Sequence, residues 1–247
     1  MVPQSNGKIF LSGERGLNEL DWFRSHNTFN FRRYYNDHKT PFGALYVLNE
    51  DTLAEDCRIA MEVEDDSHII LVPVVGAVAW KTSRNEEGLV EAGQSQVLPL
   101  LKGASIEIMN PYADTSVKYL QLWIKTPGGA QQTAHRLFSF SIDDNKNKLV
   151  KAFANGGSPF PGASNEGGSP LANVFIGSIG KFTGREEATY HLTDPRNGIF
   201  AFVLQGAFEV QYRLLHAGDG LALWQLPEIE LEALSNDAII LLIEINL

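Results

Sequence analysis

The stretch HIILVPVVGAVAWK, His68 to Lys81, is apolar at odd and even positions alike. In an extended chain this pattern puts apolar side chains on both faces, as in a strand covered by a second layer. Gly76 offers the one easy bend within it. Working outward, residues 94–101, 105–110 and 118–125 are further short apolar runs, with Gly93 and Gly103 as turn residues between them. In the last run Leu120, Leu122 and Ile124 share one face and Tyr119, Gln121 and Trp123 the other, so one face is expected to be core.

The second half of the chain repeats this rhythm. GIFAFVLQGAFEVQYRLL (198–215) reads as a hairpin turning at Gln205 and Gly206, and GDGLALW (218–224) as a turn leading into a strand. Residues 228–234 alternate, with Ile229, Leu231 and Ala233 on one face and three glutamates on the other, before the closing apolar run AIILLIEINL. No long segment carries apolar residues at helical spacing, so the fold class is all-β. Between the halves lies NGGSPFPGASNEGGSP (155–170), too rich in Gly, Pro and Ser to pack a core. The organisation read from this is an N-terminal β domain at 1–153, a linker at 154–171 and a C-terminal β domain at 172–247, each a sandwich or barrel.

Composition narrows the function classes. Of 247 residues, 44% are hydrophobic, and 30 Asp and Glu outnumber 20 Lys and Arg for a net charge of −10. Such a field repels phosphate backbones and anionic lipids, so neither nucleic acid nor membrane is an expected partner. Cys57 stands alone and cannot form an internal disulfide or a cysteine-based metal site; the neighbouring Glu55 and Asp56 disfavour its thiolate. MVPQSNGKIF lacks the order of a secretory leader, and a cytoplasmic monomer is the expectation.

Four segments carry a family resemblance: ERGLNELDWFRSHNTFNFRRYYND (14–37), PFGALYVLNED (41–51), YLQLWIKTP (119–127) and GDGLALW. In this order they resemble the pirins, bicupin proteins that include bacterial quercetinase-like members, and the resemblance spans nearly the whole chain. It implies two cupin domains, each a double-stranded β-helix or jelly roll. It also implies one divalent metal ion such as iron in the N-terminal cupin, held by a His-x-His pair and a His-x-Glu pair. Residues i and i+2 of a strand face the same way, so two such pairs can aim four ligands at one point. Counted along this chain, those positions fall on Glu62, Glu64, Ile106 and Ile108. Isoleucine cannot ligate, so the expectation is no metal and no catalytic residue there. A competing set, Glu62, Glu64, Asp65, Asp66, His68 and Glu107, would need a one-residue slip to bring Glu107 inward. The plainer expectation is a solvated acidic edge, with Ser105, Glu107 and Met109 outward and Ile106 and Ile108 filling the interior.

Other chemistry is set aside on residue identity. His26 lies one place before the family's His-Thr-Phe, here Asn27, Thr28 and Phe29; His38, His135, His191 and His216 are isolated in sequence. DDNKNK from Asp143 imitates a calcium loop, but Lys148 replaces the turn glycine and Ala154 the closing glutamate. Neither a Gly-x-Ser-x-Gly elbow nor a Walker sequence occurs. Arg32, Arg33, Tyr34 and Tyr35 read as a packed loop with surface arginines. Three functions remain: a metal-free binding module for a small molecule or protein, a quercetin 2,3-dioxygenase-type oxygenase, and a transcription-regulating partner protein. The first is the preferred reading.

Overall fold

A computed structural model describes residues 5–126, 134–155 and 175–247. Apart from the three-residue 3-10 turn Ser12–Glu14, the regular elements among the described residues are strands. They form two compact units, Arg15–Ser139 and Met1–Glu14 with Phe140–Leu247.

In the first unit a seven-stranded antiparallel sheet runs in the order Arg136–Ser139, Gln94–Leu100, Ser67–Val75, Val117–Lys125, Leu45–Leu53, Phe23–Asn27, Gly16–Leu20. A four-stranded sheet, Arg58–Glu62, Ser105–Met109, Ala77–Thr82 and Glu87–Glu91, shares one core with it. That core takes Val47, Ile69, Leu71 and Trp123 from the larger sheet and Met61, Trp80, Ile106 and Ile108 from the smaller.

The second unit repeats the plan. Asn6–Phe10, Gly220–Trp224, Asn197–Gln205, Ala238–Asn246, Phe175–Phe182 and Leu149–Ala154 form a six-stranded sheet. Glu187–His191, Glu228–Ala233, Ala207–Val210 and Arg213–His216 form a four-stranded one. Ile229, Leu231 and Ala233 enter their common core, as the alternation of that strand requires.

Three sequence expectations change. The 198–215 segment does not fold back at Gln205 and Gly206: Asn197–Gln205 pairs with Gly220–Trp224 and Ala238–Asn246, whereas Ala207–Val210 pairs with Arg213–His216 and Glu228–Ala233. Gly206 therefore carries the chain from one sheet to the other, at φ +77°, and a Cβ there would overlap the Ser235 hydroxyl. Gly76, at φ +78°, makes the same crossing between Ser67–Val75 and Ala77–Thr82 in the first unit. Positive φ at such a crossover is a conformation that glycine adopts without strain.

The boundaries at 153 and 172 also shift, because Asn6–Phe10 pairs with Gly220–Trp224 and Leu149–Ala154 with Phe175–Phe182. Both ends of the expected N-terminal domain thus belong to the second unit. Strand patterning marks a segment as extended but does not choose its non-local partner. Ala154, read as linker, ends a strand, and residues 156–171 of that linker lie outside the described residues. Finally, Val117–Lys125 is buried on both faces, since Leu120, Leu122 and Ile124 are as enclosed as Tyr119, Gln121 and Trp123.

Candidate functional site in the N-terminal barrel

The two strands expected to carry the family's ligand positions are direct neighbours. Ser105–Met109 pairs antiparallel with Arg58–Glu62, setting Ser105 opposite Glu62, Ile106 opposite Met61 and Ile108 opposite Ile59. Ile106 and Ile108 are fully buried and point into the core. Glu62 and Glu64 do not face them: both are exposed, and Met61 and Val63 take the inward positions. The arrangement is the plainer of the two expectations, a solvated acidic edge at Glu62 and Glu64 with Ile106 and Ile108 filling the interior.

The physical reason is a comparison of two registers. Turning the strand over would expose a methionine and a valine, each worth about 1.5–3 kcal/mol when buried. It would also desolvate two carboxylates at several kcal/mol apiece.

The remaining donors of the competing set are occupied elsewhere. Asp65 pairs with Lys125 at 2.7 Å, and Asp66 accepts the Lys102 backbone N–H at 2.8 Å. Glu107 stands 3.6 Å from Arg58 on the outer face. His68 contacts the Thr126 hydroxyl at 3.0 Å, and burial pulls its imidazole down to about 4, so it is neutral at neutral pH. His26 is half-buried, with burial and the neighbouring Arg15 holding it below the ordinary histidine value. Arg15 donates to the His26 carbonyl at 2.6 Å and to Glu50 at 3.1 Å. Asp143 of the calcium-loop imitation pairs with Lys181 at 2.9 Å. In the Arg32–Tyr35 loop a tight turn closes between Phe31 and Tyr34, and Arg32 caps the Ala60 carbonyl at 3.2 Å.

The larger sheet contributes a feature that the sequence reading did not single out. Ser25 and Asn27, Asn49 and Asp51, and Tyr119 and Gln121 are all buried, and they occupy successive inward positions of three adjacent strands. Register sets Ser25, Asp51 and Tyr119 in one row and Asn27, Asn49 and Gln121 in the next. Ser25 donates to Asn27 Oδ1 at 2.8 Å. Gln121, assigned from its partners, donates through Nε2 to Asp51 Oδ2 at 3.2 Å and accepts from Trp123 Nε1 at 3.1 Å. Its amide also lies 3.4 Å from the Met61 sulfur, where the polar wall meets the apolar one.

Loss of solvent pushes the Asp51 carboxyl up to about 7, against the opposing pull of the Ser25 and Tyr119 hydroxyls. Tyr119 is held well above the ordinary tyrosine value by burial and by the facing carboxyl. The available signal was a pair of polar residues at spacing two on the inward face of each of three strands. Asn and Asp in the run VLNED look equally like turn residues.

Comparison with known proteins finds relatives along nearly the whole chain. Residues 175–245 match the family model described as the quercetinase C-terminal cupin domain. The chain is 22% identical over 230 residues to the quercetin 2,3-dioxygenase of Escherichia coli, covering 93% of this chain and 95% of that one. It is 26% identical over 225 residues to a pirin-like protein of Caulobacter vibrioides, covering 89% and 91%. Among solved structures, YhhW from E. coli superposes with a TM-score of 0.79 at 20% identity over 97% of both chains. The same protein in complex with nickel(II) gives 0.80 at 20% identity, over 98% of this chain and 99% of that one.

Proposed function

Because the chain is a bicupin of the pirin family, we propose that it is a non-catalytic member: a binding module for a small molecule or protein whose N-terminal barrel does not take the metal ion of its relatives. The observation that carries this reading is the inward pair Ile106 and Ile108, facing Met61 and Ile59 across the strand pair. Hydrocarbon side chains have no lone pair to offer. A thioether favours soft monovalent copper over the divalent ions held by imidazole and carboxylate. The carboxylates at the family's other two positions, Glu62 and Glu64, lie on the solvent face, so they would have to invert a buried strand to reach the interior. The residues at these positions therefore do not fit a divalent ion.

A second reading, oxygenase chemistry of the quercetin 2,3-dioxygenase type, is favoured by the name of the E. coli relative and by the nickel complex of YhhW. Aerobic incubation with quercetin, with and without added nickel(II) or iron(II), separates the two. The binding-module reading expects the flavonol absorbance to persist under both conditions. Metal-dependent loss of that absorbance at catalytic protein concentrations would replace it with the oxygenase reading.

A further inference from the structure

The inner wall of the N-terminal barrel carries five polar atoms without an aligned protein partner: Asn27 Nδ2, both ends of the Asn49 amide, Asp51 Oδ1 and the Tyr119 hydroxyl. All four side chains are buried. Their register gathers them, since Asn27 faces Asn49 and Asp51 faces Tyr119 on adjoining strands. Each polar group left unsatisfied in a core costs a sizeable part of a domain's marginal stability, and five in two adjacent rows cannot be a neutral accident.

The chemistry of the set narrows its occupant. Two amide nitrogens only donate, the Asn49 oxygen only accepts, and the tyrosine hydroxyl does both. A cation would be met by two N–H₂ groups, and an anion by the Asp51 carboxyl. A neutral water or hydroxyl, which both donates and accepts at one oxygen, meets donors and acceptors of this set alike, up to four of its five atoms for water and three for an alcohol. Met61 and Ile106, on the opposite wall, leave the other side of such a group apolar.

We propose that Asn27, Asn49, Asp51 and Tyr119 form an internal binding site for a small neutral hydroxylic molecule, either water or a short alcohol. The site lies on the wall opposite Ile106 and Ile108, and it does not depend on the function proposed above. If the barrel proves to be catalytic, the site can still stand; if the site proves dry, the metal-free reading is untouched.

The test is a pair of high-resolution crystal structures of the full chain, grown without alcohol and in ethanediol. The expected result is ordered oxygen density at about 3 Å from Asn49, Asp51 and Tyr119 in the first. In the second, either the same water persists, making solvent the occupant, or an ethanediol hydroxyl replaces it, making alcohols ligands as well. An empty site in both crystals, or a metal ion bound to Asp51, overturns the proposal. Thermal unfolding of Asn49→Leu gives an independent readout. With an occupied site the variant strands Asn27 and Tyr119 and melts below the unsubstituted chain. With a dry site it removes two unsatisfied atoms and melts above it. Should that variant not fold, the density in the unsubstituted chain decides.

Discussion

Replacing Asp51 by asparagine should change how the protein's stability responds to pH, with a sign opposite to that of most carboxylates. Asp51 is fully enclosed, and burial raises its carboxyl from 3.8 to about 7. A folded-state value above the unfolded one means that folding favours the protonated form. The stabilisation is complete below the unfolded value and is lost as pH rises towards the folded one. Three pH units at about 1.4 kcal/mol each make this term about 4 kcal/mol, of which about 3 falls between pH 5 and pH 8. An asparagine amide cannot ionise, so urea unfolding of Asp51→Asn beside the unsubstituted chain should show the variant gaining about 3 kcal/mol in relative stability over that interval. His68 works in the other direction. Its value is lowered from 6.5 to about 4 by burial, so its contribution is present above pH 6.5 and lost as pH falls. The two slopes nearly cancel between pH 4 and 6.5, and the unsubstituted chain should be flatter there than either Asp51→Asn or His68→Gln. A stability difference between the Asp51→Asn and unsubstituted chains that is independent of pH, or that shifts against the variant as pH rises, would refute the reasoning.

Three further outcomes are expected. Ile106→Glu places an unpaired carboxylate among Met61, Trp80 and Ile108 and should cost about 3–5 kcal/mol at pH 8, recovering partly at pH 5, as read by chemical denaturation; an unchanged midpoint would mean that the strand face is not closed. Glu244 accepts from Tyr190, from the Thr193 backbone and hydroxyl, and from Asn197. Glu244→Gln turns an amide N–H₂ towards donors and should lose about 1.5–3 kcal/mol, whereas exposed Glu209→Gln should stay within about 0.5. Gly206→Ala meets both a positive φ and the Ser235 hydroxyl, while Gly103→Ala meets only the φ; by thermal unfolding the first should be the more destabilising, each losing at least about 1 kcal/mol.

Much of the architecture could be read from side-chain alternation. Glu228–Ala233 shows why: Ile229, Leu231 and Ala233 can be sheltered together only if the chain is extended. What alternation does not carry is the partner of each strand. Asn6–Phe10 finds the edge beside Gly220–Trp224, at the far end of the chain, and the apparent hairpin at Gly206 is a crossing between sheets. The candidate site was legible by half. Ile106 and Ile108 lie inside the barrel, where the strand pattern places them. Glu62 and Glu64 lie on the solvated edge that their charge favours, and Met61 and Val63 beside them take the inward positions. The phase of a strand is fixed by which side chains gain most from burial, and a one-residue offset in counting inverts it. The polar wall of Asn49, Asp51 and Tyr119 was hidden for a different reason. Each strand alone turns only two such residues inward, among outward polar neighbours such as Arg24, His26, Glu50 and Thr52, and only the register collects them.

The central claim is that the N-terminal barrel takes no divalent metal. Elemental analysis of the full chain, purified without chelator from cells supplied with iron, nickel, manganese, copper and zinc, tests it most directly. The account predicts no stoichiometric ion. One ion per chain that is retained through gel filtration and released by Glu62→Gln or Glu64→Gln would contradict it.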